Sequence, residues 1–340
     1  MQWQRARTAA AALAALLLTL AACGAGSGPS KPKAAGTTVP AKPATVDPAS
    51  VKANELGDVP VMMYHRLTPT PNGEFDRTPA DFRAEIERLY ASNYRPVLAR
   101  DLVAGAMNVP AGTTPVVLTF DDGTVSQYRL GPDGNVAPDT AVGILLDFAK
   151  GHPDFRPVAT MYVNGNPFEA GAGTSELQGL VRLGFELGAH TLTHQNLGKA
   201  SSEEVQKQLV DGLRVITGVV PDAKVVTMAL PFGVRPKDPA LAHAGSAEGQ
   251  NYSFDGVFMV GSEPSPSPFA ARFDPRSIPR IRSSAWDGKA PNFSSTFWLD
   301  TLDKHPERRY ISDGNPDRVS FPKAEEAKLN PAAADRAQPY

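Results

Sequence analysis

The stretch that decides the fold is "TPVVLTFDDG", residues 114–123, in which a mainly apolar run ends on two adjacent aspartates. A near-continuous apolar run of this kind is typical of a parallel strand that is covered on both faces. Asp121 and Asp122 follow at its end, where neighbouring carboxylates repel each other unless a cation or a shared proton relieves them. Asp-Gly is also a common turn, so "DDG" taken alone fits a strand-ending turn equally well.

Strand and helix patterns alternate on both sides of this stretch. "TPADFRAEIERLYASN" places Thr78 at a capping position before Pro79, and its apolar residues recur at helical spacing. "SSEEVQKQLVDGLRVITG" begins with a capping box, Ser201 to Glu204, and ends at Gly218. Alternating elements imply a parallel sheet, and about seven strands in one domain favour a barrel over an open sheet. In both architectures, ligands bind beyond the carboxyl ends of the strands.

Two further predicted strands also end on residues that can carry chemistry. "FELGA" is followed by "HTLTH", in which His190 and His194 face the same way if the segment turns as a helix. Two surface histidines are the alternative for this pair. One carboxylate and two imidazoles would give three protein ligands and an open position, as in a catalytic metal site that activates water. "KVVTMAL" is followed by "PFG", residues 231–233, which by itself is typical of a strand-ending turn.

In combination, "TFDDG", "HTLTH" and "PFG" resemble the polysaccharide deacetylases of the NodB-homology type, carbohydrate esterase family 4. The resemblance runs from about Val59 to Ile281. It implies a distorted (β/α) barrel of seven or eight parallel strands and a divalent metal. That metal is most commonly Zn²⁺, with Co²⁺, Ni²⁺ or Fe²⁺ as alternatives.

The resemblance also assigns roles to residues of this chain. It makes Asp121 the general base and the Phe232 backbone N–H the donor to the oxyanion, with Pro231 and Gly233 lining the substrate site. The implied metal ligands are Asp122, His190 and His194.

The chain departs from the family pattern in two places. Ala229 stands where many members have an arginine that orients the base, and the usual C-terminal "Leu-x-His" is missing. "VPVMMYHRL", residues 59–67, resembles the branch that includes the exported poly-N-acetylglucosamine deacetylases, in which the acid histidine comes first. We therefore predict that His65 is the general acid and that Tyr64 contacts substrate.

Three other residues are candidates near this site. Arg280 in "SIPRI" is predicted to replace the missing arginine, and an ordinary solvated arginine is the alternative. Arg66 is a weaker candidate for the same role. Trp286 would wall the acetyl pocket or stack on a sugar, although packing in the core or at an interface is equally plausible.

The N-terminus reads as an export signal. Arg5 and Arg7 precede a short apolar run, and "LAAC" resembles a bacterial lipobox in which Cys23, the only cysteine, would be lipidated. A plain secretory signal is the alternative. We expect a lipoprotein on the outer face of the cytoplasmic membrane, in the cell envelope, with partial release as an alternative.

Composition sets the remaining boundaries. Residues 1–22 are predicted as the signal peptide, 23–56 as a disordered linker, 57–322 as the catalytic domain and 323–340 as a flexible tail. The net charge is −2 with both signs interspersed, which does not favour nucleic-acid binding. We expect a monomer.

The leading hypothesis is a hydrolase that removes N-acetyl groups from a β-linked N-acetylglucosamine polymer. An O-acetyl esterase acting on xylan would use the same apparatus. A glycan-binding lipoprotein with a decayed esterase site is a hypothesis of another class, and a non-glycan amidase is a weaker one. Substrate choice is expected to lie in loops such as 124–140 and 261–276, the second of which reads as a long surface loop.

Overall fold

An eight-stranded parallel sheet forms the centre of the molecule. The computed structural model describes residues 46–169, 174–261, 263–285 and 294–340. In chain order the strands are β1 (Val61–Tyr64), β2 (Tyr94–Val97), β3 (Thr114–Asp122), β4 (Thr160–Val163), β5 (Glu186–Ala189), β6 (Thr227–Ala229), β7 (Gly256–Phe258) and β8 (Ile281–Arg282). The mainly apolar run that follows Thr113 is thus one long strand, and it includes both aspartates.

The sheet curls on itself in the order β7-β6-β5-β4-β3-β1-β8, and β2 also pairs with β3. Residues 278–281 connect the two ends of the sheet. Ile278 bridges to Phe258 in β7, and Ile281 is paired with Met62 in β1. This closure produces the distorted parallel barrel that the sequence predicts. All the strands of a parallel barrel run the same way, so their carboxyl ends gather at one pole.

Helices pack against the sheet, mostly on its outer face. They are α1 (Pro79–Ala91), α2 (Ala99–Val103), α3 (Ala141–Gly151), α4 (Thr174–Arg182), α5 (Ser202–Thr217) and α6 (Ser295–Lys304). The predicted caps are present: the Thr78 hydroxyl accepts from the Asp81 N–H, and Ser201 forms a capping box with Glu204. In the described part of the chain, no helix combines the length and apolar character that crossing a bilayer requires.

Residues of β3 alternate between two hydrophobic clusters, as a strand's period of two requires. Val116, Leu118 and Phe120 pack outward among residues of α1, α3 and α4. Val117 faces inward, in a cluster with residues of β1, β2, β4, β6 and β7. Asp121 shares the parity of Val117, so it belongs to the inner face at the carboxyl pole.

The ordered structure extends beyond both ends of the predicted domain at residues 57–322. Residues 48–51 form a 3-10 turn and residues 53–56 are buried, so ordered structure begins within the predicted linker. The predicted flexible tail also folds. Ala337–Pro339 pairs in parallel with Val319–Phe321, and the Tyr340 hydroxyl donates to the Ala53 carbonyl over 2.8 Å. Buried Glu55 explains why residues 53–56 are ordered, because its carboxylate accepts hydrogen bonds from several donors that include the Ser320 N–H.

The predicted surface loop at 261–276 is also wrong in part. Ser265–Pro266 pairs with Asp58–Val59 in an antiparallel bridge next to the amino end of β1. Ser267 is buried, and its hydroxyl donates to the Glu55 carbonyl over 2.6 Å. These backbone partners come from a segment more than 200 residues away, so the local Pro/Ser-rich composition could not reveal them.

Candidate metal and carboxylate site

The predicted site residues meet at the carboxyl pole of the barrel. His65 follows β1, Asp121 and Asp122 end β3, and His190 follows β5. Residues 231–233 come just after β6, and Arg280 comes just before β8. The topology thus brings together polar residues that lie as much as 215 positions apart in the chain.

The two aspartates reach the same site because the backbone departs from regular strand geometry at Asp122, the last residue of β3. A regular strand would send neighbouring side chains to opposite faces. Asp122 instead has a φ of 77°, in the left-handed region that non-glycine residues seldom adopt. Thr191, His194 and Phe232 also have positive φ values. Such strained residues tend to cluster at functional sites, where the surrounding structure holds them in place.

Asp122, His190 and His194 form a cluster with the geometry of a metal site. Their candidate ligand atoms all lie within 4.8 Å of one another. Nε2 of His190 and Nε2 of His194 are each 3.5 Å from the same carboxylate oxygen, Oδ1 of Asp122. Two imidazole nitrogens and one carboxylate oxygen are a donor set that suits Zn²⁺ and other transition-metal ions.

The hydrogen bonding of His190 favours this interpretation. Its Nδ1 lies 2.8 Å from the Ala229 carbonyl oxygen, which can only accept, so Nδ1 carries the proton. In the neutral ring, Nε2 is therefore the unprotonated nitrogen that a cation can bind, and it is buried without a hydrogen-bond partner. Metal-binding histidines are commonly oriented in this way by a carbonyl behind the ring. The residues present thus fit a bound divalent cation.

Arg280 holds Asp121 by both carboxylate oxygens. Nη1 donates to Oδ1 over 2.6 Å and Nη2 donates to Oδ2 over 2.7 Å. Both side chains are almost completely buried, and Nε of Arg280 also donates to the Met259 carbonyl. The bidentate geometry fixes the carboxylate plane in a way that a single-point contact would not. Arg280 therefore makes the contact with Asp121 that was expected of an arginine at position 229.

The carboxylates are held in their charged form. Burial would raise the pKa of Asp121, but the Arg280 guanidinium and His190 outweigh it and bring that pKa well below its usual range. Burial also opposes ionisation of Asp122, whose pKa is nevertheless lowered, chiefly by His190. Conversely, burial would lower the pKa of His190, but Asp121 and Asp122 raise it.

His65 lies beside Asp121. Its Nε2 is 3.8 Å from Asp121 Oδ2. Burial lowers the pKa of His65, although Asp121 and Asp122 act in the opposite direction. Nδ1 of this ring is buried without a hydrogen-bond partner. The imidazole is consequently neutral at neutral pH, and it faces the carboxylate predicted to be the base.

The "PFG" turn borders the cluster of Asp122, His190 and His194. Pro231 is buried, whereas Phe232 is 58% exposed and its ring lies edge-on to His194 with centroids 4.6 Å apart. Gly233 has a φ of 67°, and a Cβ there would come within 3.0 Å of Val260. This position therefore requires glycine for both its conformation and its space.

Two predicted roles are wrong. Tyr64 does not face the site: its side chain is buried, its hydroxyl donates to Glu85 over 2.7 Å and its ring stacks on Phe120. The period of two explains this, because Tyr64 and His65 are neighbours and must point to opposite faces. Arg66 is exposed and pairs with Asp76, so it cannot orient the base. Trp286 and Cys23 lie outside the described residues.

Sequence reasoning missed two residues that support the site. Gln127 is fully buried, and its side-chain amide donates to the backbone carbonyls of His65 and Asp121. The Thr119 hydroxyl donates to the Met62 carbonyl over 2.8 Å and accepts from Arg280 over 3.1 Å. Gln127 was hidden within a loop that reads as polar surface, whereas the inward parity of Thr119 on β3 was a usable signal.

Comparisons with known proteins indicate one class. Residues 108–247 match the family model described as polysaccharide deacetylase. A chitooligosaccharide deacetylase of Bradyrhizobium sp. (strain ANU 289) is 32% identical over 129 residues, which cover 38% of this chain and 50% of that protein. One of Sinorhizobium fredii is 30% identical over 138 residues, which cover 40% and 56%. The chain thus spans about half the length of the curated relatives it matches.

Solved structures agree with the fold. The Streptococcus pyogenes deacetylase PplD, solved in complex with acetate, has a TM-score of 0.53 at 19% identity, covering 72% of this chain and 98% of that one. BC0361, a polysaccharide deacetylase from Bacillus cereus, has a TM-score of 0.51 at 22% identity, covering 66% and 64%. At this level of identity, the likeness concerns the barrel alone.

Proposed function

We propose that this protein is a metal-dependent deacetylase that removes N-acetyl groups from a β-linked N-acetylglucosamine polymer of the cell surface or cell wall. The observation that carries the proposal is the arrangement at the carboxyl pole. The cluster of Asp122, His190 and His194 lies beside the Arg280-bound carboxylate of Asp121 and the imidazole of His65. The similarity to two chitooligosaccharide deacetylases supports this substrate class.

The metal would be held by Asp122, His190 and His194, with Zn²⁺ favoured by the donor set. A divalent cation bound there would lower the pKa of water and polarise the acyl carbonyl. Asp121 acts as the base: its carboxylate is ionised over the physiological range, and Arg280 holds it in a fixed orientation. The Phe232 backbone N–H is proposed to donate to the developing oxyanion. Arg280 positions Asp121 and does not itself contact the reacting atoms.

His65 is proposed to protonate the departing amine. Amide hydrolysis needs such an acid because an unprotonated amine is a poor leaving group. The imidazole starts neutral, so it must gain its proton during the reaction. Asp121 Oδ2, 3.8 Å from Nε2, is the nearest source once it has accepted a proton from water. One proton would then pass from water to Asp121, to His65 Nε2 and finally to the amine.

An O-acetyl esterase is the second candidate, because the same base and metal ligands serve an ester. The two activities differ in their need for an acid, since an alkoxide leaves more easily than an amide anion. His65→Ala should therefore lose most amide hydrolysis, about 10²–10⁴-fold, and lose much less ester hydrolysis. Retention of full amide hydrolysis by His65→Ala would show that the acid has been wrongly assigned.

A decayed, glycan-binding site is disfavoured by the replacement of the missing arginine. Ala229 would be expected to leave Asp121 unoriented, yet Arg280 restores the contact from another strand. The oriented carboxylate and the complete donor set of Asp122, His190 and His194 are what an active site requires and what a binding site does not.

The deciding experiment is acetate release from chitooligosaccharides, peptidoglycan, poly-N-acetylglucosamine and acetylxylan, with and without a chelator. We expect release from at least one N-acetylated glycan, lost on chelation and in His194→Ala. His305→Ala is the matched control, because His305 is an exposed histidine paired with Glu307. Bound metal without acetate from any glycan would instead support the binding protein.

We also propose that the chain is exported and anchored through a lipid on Cys23. The motif "LAAC" and the short apolar run before it support this proposal. In a bacterial host, the wild-type protein should fractionate with membranes and incorporate labelled palmitate, and Cys23→Ser should do neither. Equal membrane association of both proteins would refute the lipid anchor.

A further inference from the structure

An exposed phenylalanine contacts the proposed acid and has no assigned role. The Phe75 ring lies against the His65 imidazole, with centroids 4.7 Å apart and planes at 52°. Phe75 nevertheless remains 36% exposed, whereas most large apolar side chains among the described residues are buried. An exposed aromatic at the mouth of a polar site is a common feature of ligand-binding surfaces.

The loop that carries Phe75 is held in place at both ends. Arg66 forms a bidentate pair with Asp76 over 3.0 and 2.7 Å, and the same carboxylate accepts from the Asn72 N–H. Arg282, the last residue of the closing strand β8, pairs with Glu74, and its guanidinium lies 4.9 Å from the Phe75 ring centre. The aromatic edge is therefore presented in a fixed position, which reduces the entropy that a ligand must overcome.

The direction of the reaction places the sugar on this side of the site. In amide hydrolysis, the C–N bond breaks, water supplies the hydroxyl to the acetyl carbon, and the amine leaves with the sugar after gaining a proton. His65 is proposed to give that proton, so the sugar ring bearing the nitrogen must lie next to His65. Phe75 is in contact with His65 and is partly exposed, so it is within reach of a sugar that lies next to His65.

We propose that Phe75 is a sugar-contacting residue that makes the site prefer pyranose-linked acetamides in a chain over small acetyl compounds. The inference rests on the proposed function and deepens it. The apolar C–H groups of a pyranose pack against an aromatic side chain, whereas a small acetyl ester offers nothing to reach it. Phe75 thus contributes to binding the sugar and not to the chemical step.

The test compares Phe75→Ala, Phe75→Tyr and the control Leu183→Ala on two substrates. The substrates are the N-acetylglucosamine tetramer and ethyl acetate, an ester that carries no ring. Leu183 is a matched control because it is exposed to the same extent (37%) and precedes β5, at the opposite pole. For the tetramer, Phe75→Ala should raise KM about three- to tenfold with little change in kcat. For ethyl acetate the rise in KM caused by Phe75→Ala should be smaller than for the tetramer. Phe75→Tyr keeps the ring and should retain the tetramer KM, and Leu183→Ala should behave like the wild type.

A binding measurement separates this inference from the proposed function. In an Asp121→Asn background that prevents turnover, adding Phe75→Ala should weaken calorimetric binding of the tetramer by the same factor. If the wild type releases no acetate but Phe75→Ala weakens binding, the sugar contact holds and the deacetylase proposal fails. If the wild type releases acetate and Phe75→Ala leaves KM and binding unchanged, the sugar contact is refuted. Equal losses of kcat on both substrates would also refute it, because Phe75 would then act through His65.

Discussion

Removing the Arg280 side chain should destabilise the protein at every pH at which Asp121 remains ionised. Arg280 and Asp121 are 0% and 1% exposed, and two charge-assisted hydrogen bonds of 2.6 and 2.7 Å join them. In Arg280→Met the carboxylate would stay buried without its counter-charge, a loss of about 3–5 kcal/mol for buried pairs. Arg95→Met is the matched control. Its partner Asp154 is 45% exposed and can be hydrated once Arg95 is gone, so its loss should be smaller.

A double-mutant cycle measures this coupling directly. Arg280→Met, Asp121→Asn and the double variant would be unfolded in urea at pH 7 with a chelator present, so that metal binding does not contribute. Each single variant leaves one buried polar group without its partner, whereas the double variant leaves neither charge. We therefore expect a coupling free energy of about 2–3 kcal/mol.

The pH dependence of Arg280→Met gives an independent check. Without the guanidinium, burial raises the pKa of Asp121, so the folded state favours the neutral carboxyl. The variant should then lose less stability, relative to the parent, at pH 5 than at pH 8. Additive losses in the cycle, or a loss in Arg280→Met no larger than in Arg95→Met, would refute the buried-pair argument.

Three further predictions concern other parts of the molecule. Burial raises the pKa of Glu55 to about 7, so its stabilising contribution is complete below its unfolded value near 4.5 and is lost as the pH rises through 7. Urea unfolding should show the parent losing about 3 kcal/mol from this group between pH 4.5 and pH 8, and Glu55→Gln should not show this loss. Zn²⁺ should raise the thermal midpoint of the parent and of His305→Ala but not of His190→Ala, because only a folded metal site links binding to stability. Truncation after residue 322 should lower the free energy of unfolding by at least about 2 kcal/mol, because it removes a paired strand and the buried Ala333. An unchanged free energy of unfolding would mean that the tail is dispensable.

Local sequence patterns predicted the alternating strands and helices, which depend on short-range regularities, whereas the resemblance to a known family supplied the barrel and the roles of the residues at the strand ends. The apolar run before Asp121 could only be a buried strand, and the capping box at Ser201 fixed the start of a helix. Parallel strands bring their carboxyl ends to one pole, so the order of "DDG", "HTLTH" and "PFG" was enough to predict a shared site. The wrong prediction that Tyr64 contacts substrate could also have been avoided from the sequence, because the strand's period of two puts Tyr64 and His65 on opposite faces.

The sequence by itself determined which residue types stand at the strand ends, because hydrophobic periodicity and capping act over a few residues. Only the tertiary structure decided which groups meet. The contact of Arg280 with Asp121 and that of Phe75 with His65 depend on barrel closure and on a loop held by Arg282, neither of which is encoded locally. The same holds for the tail, whose polar composition suggests a loose chain although its backbone finds partners at residues 319–321. Long-range hydrogen bonds and buried charge pairs form only once the chain has folded. The family resemblance pointed to Arg280 as the partner of Asp121, whereas the contacts of Phe75 and of the tail had no signal in the sequence.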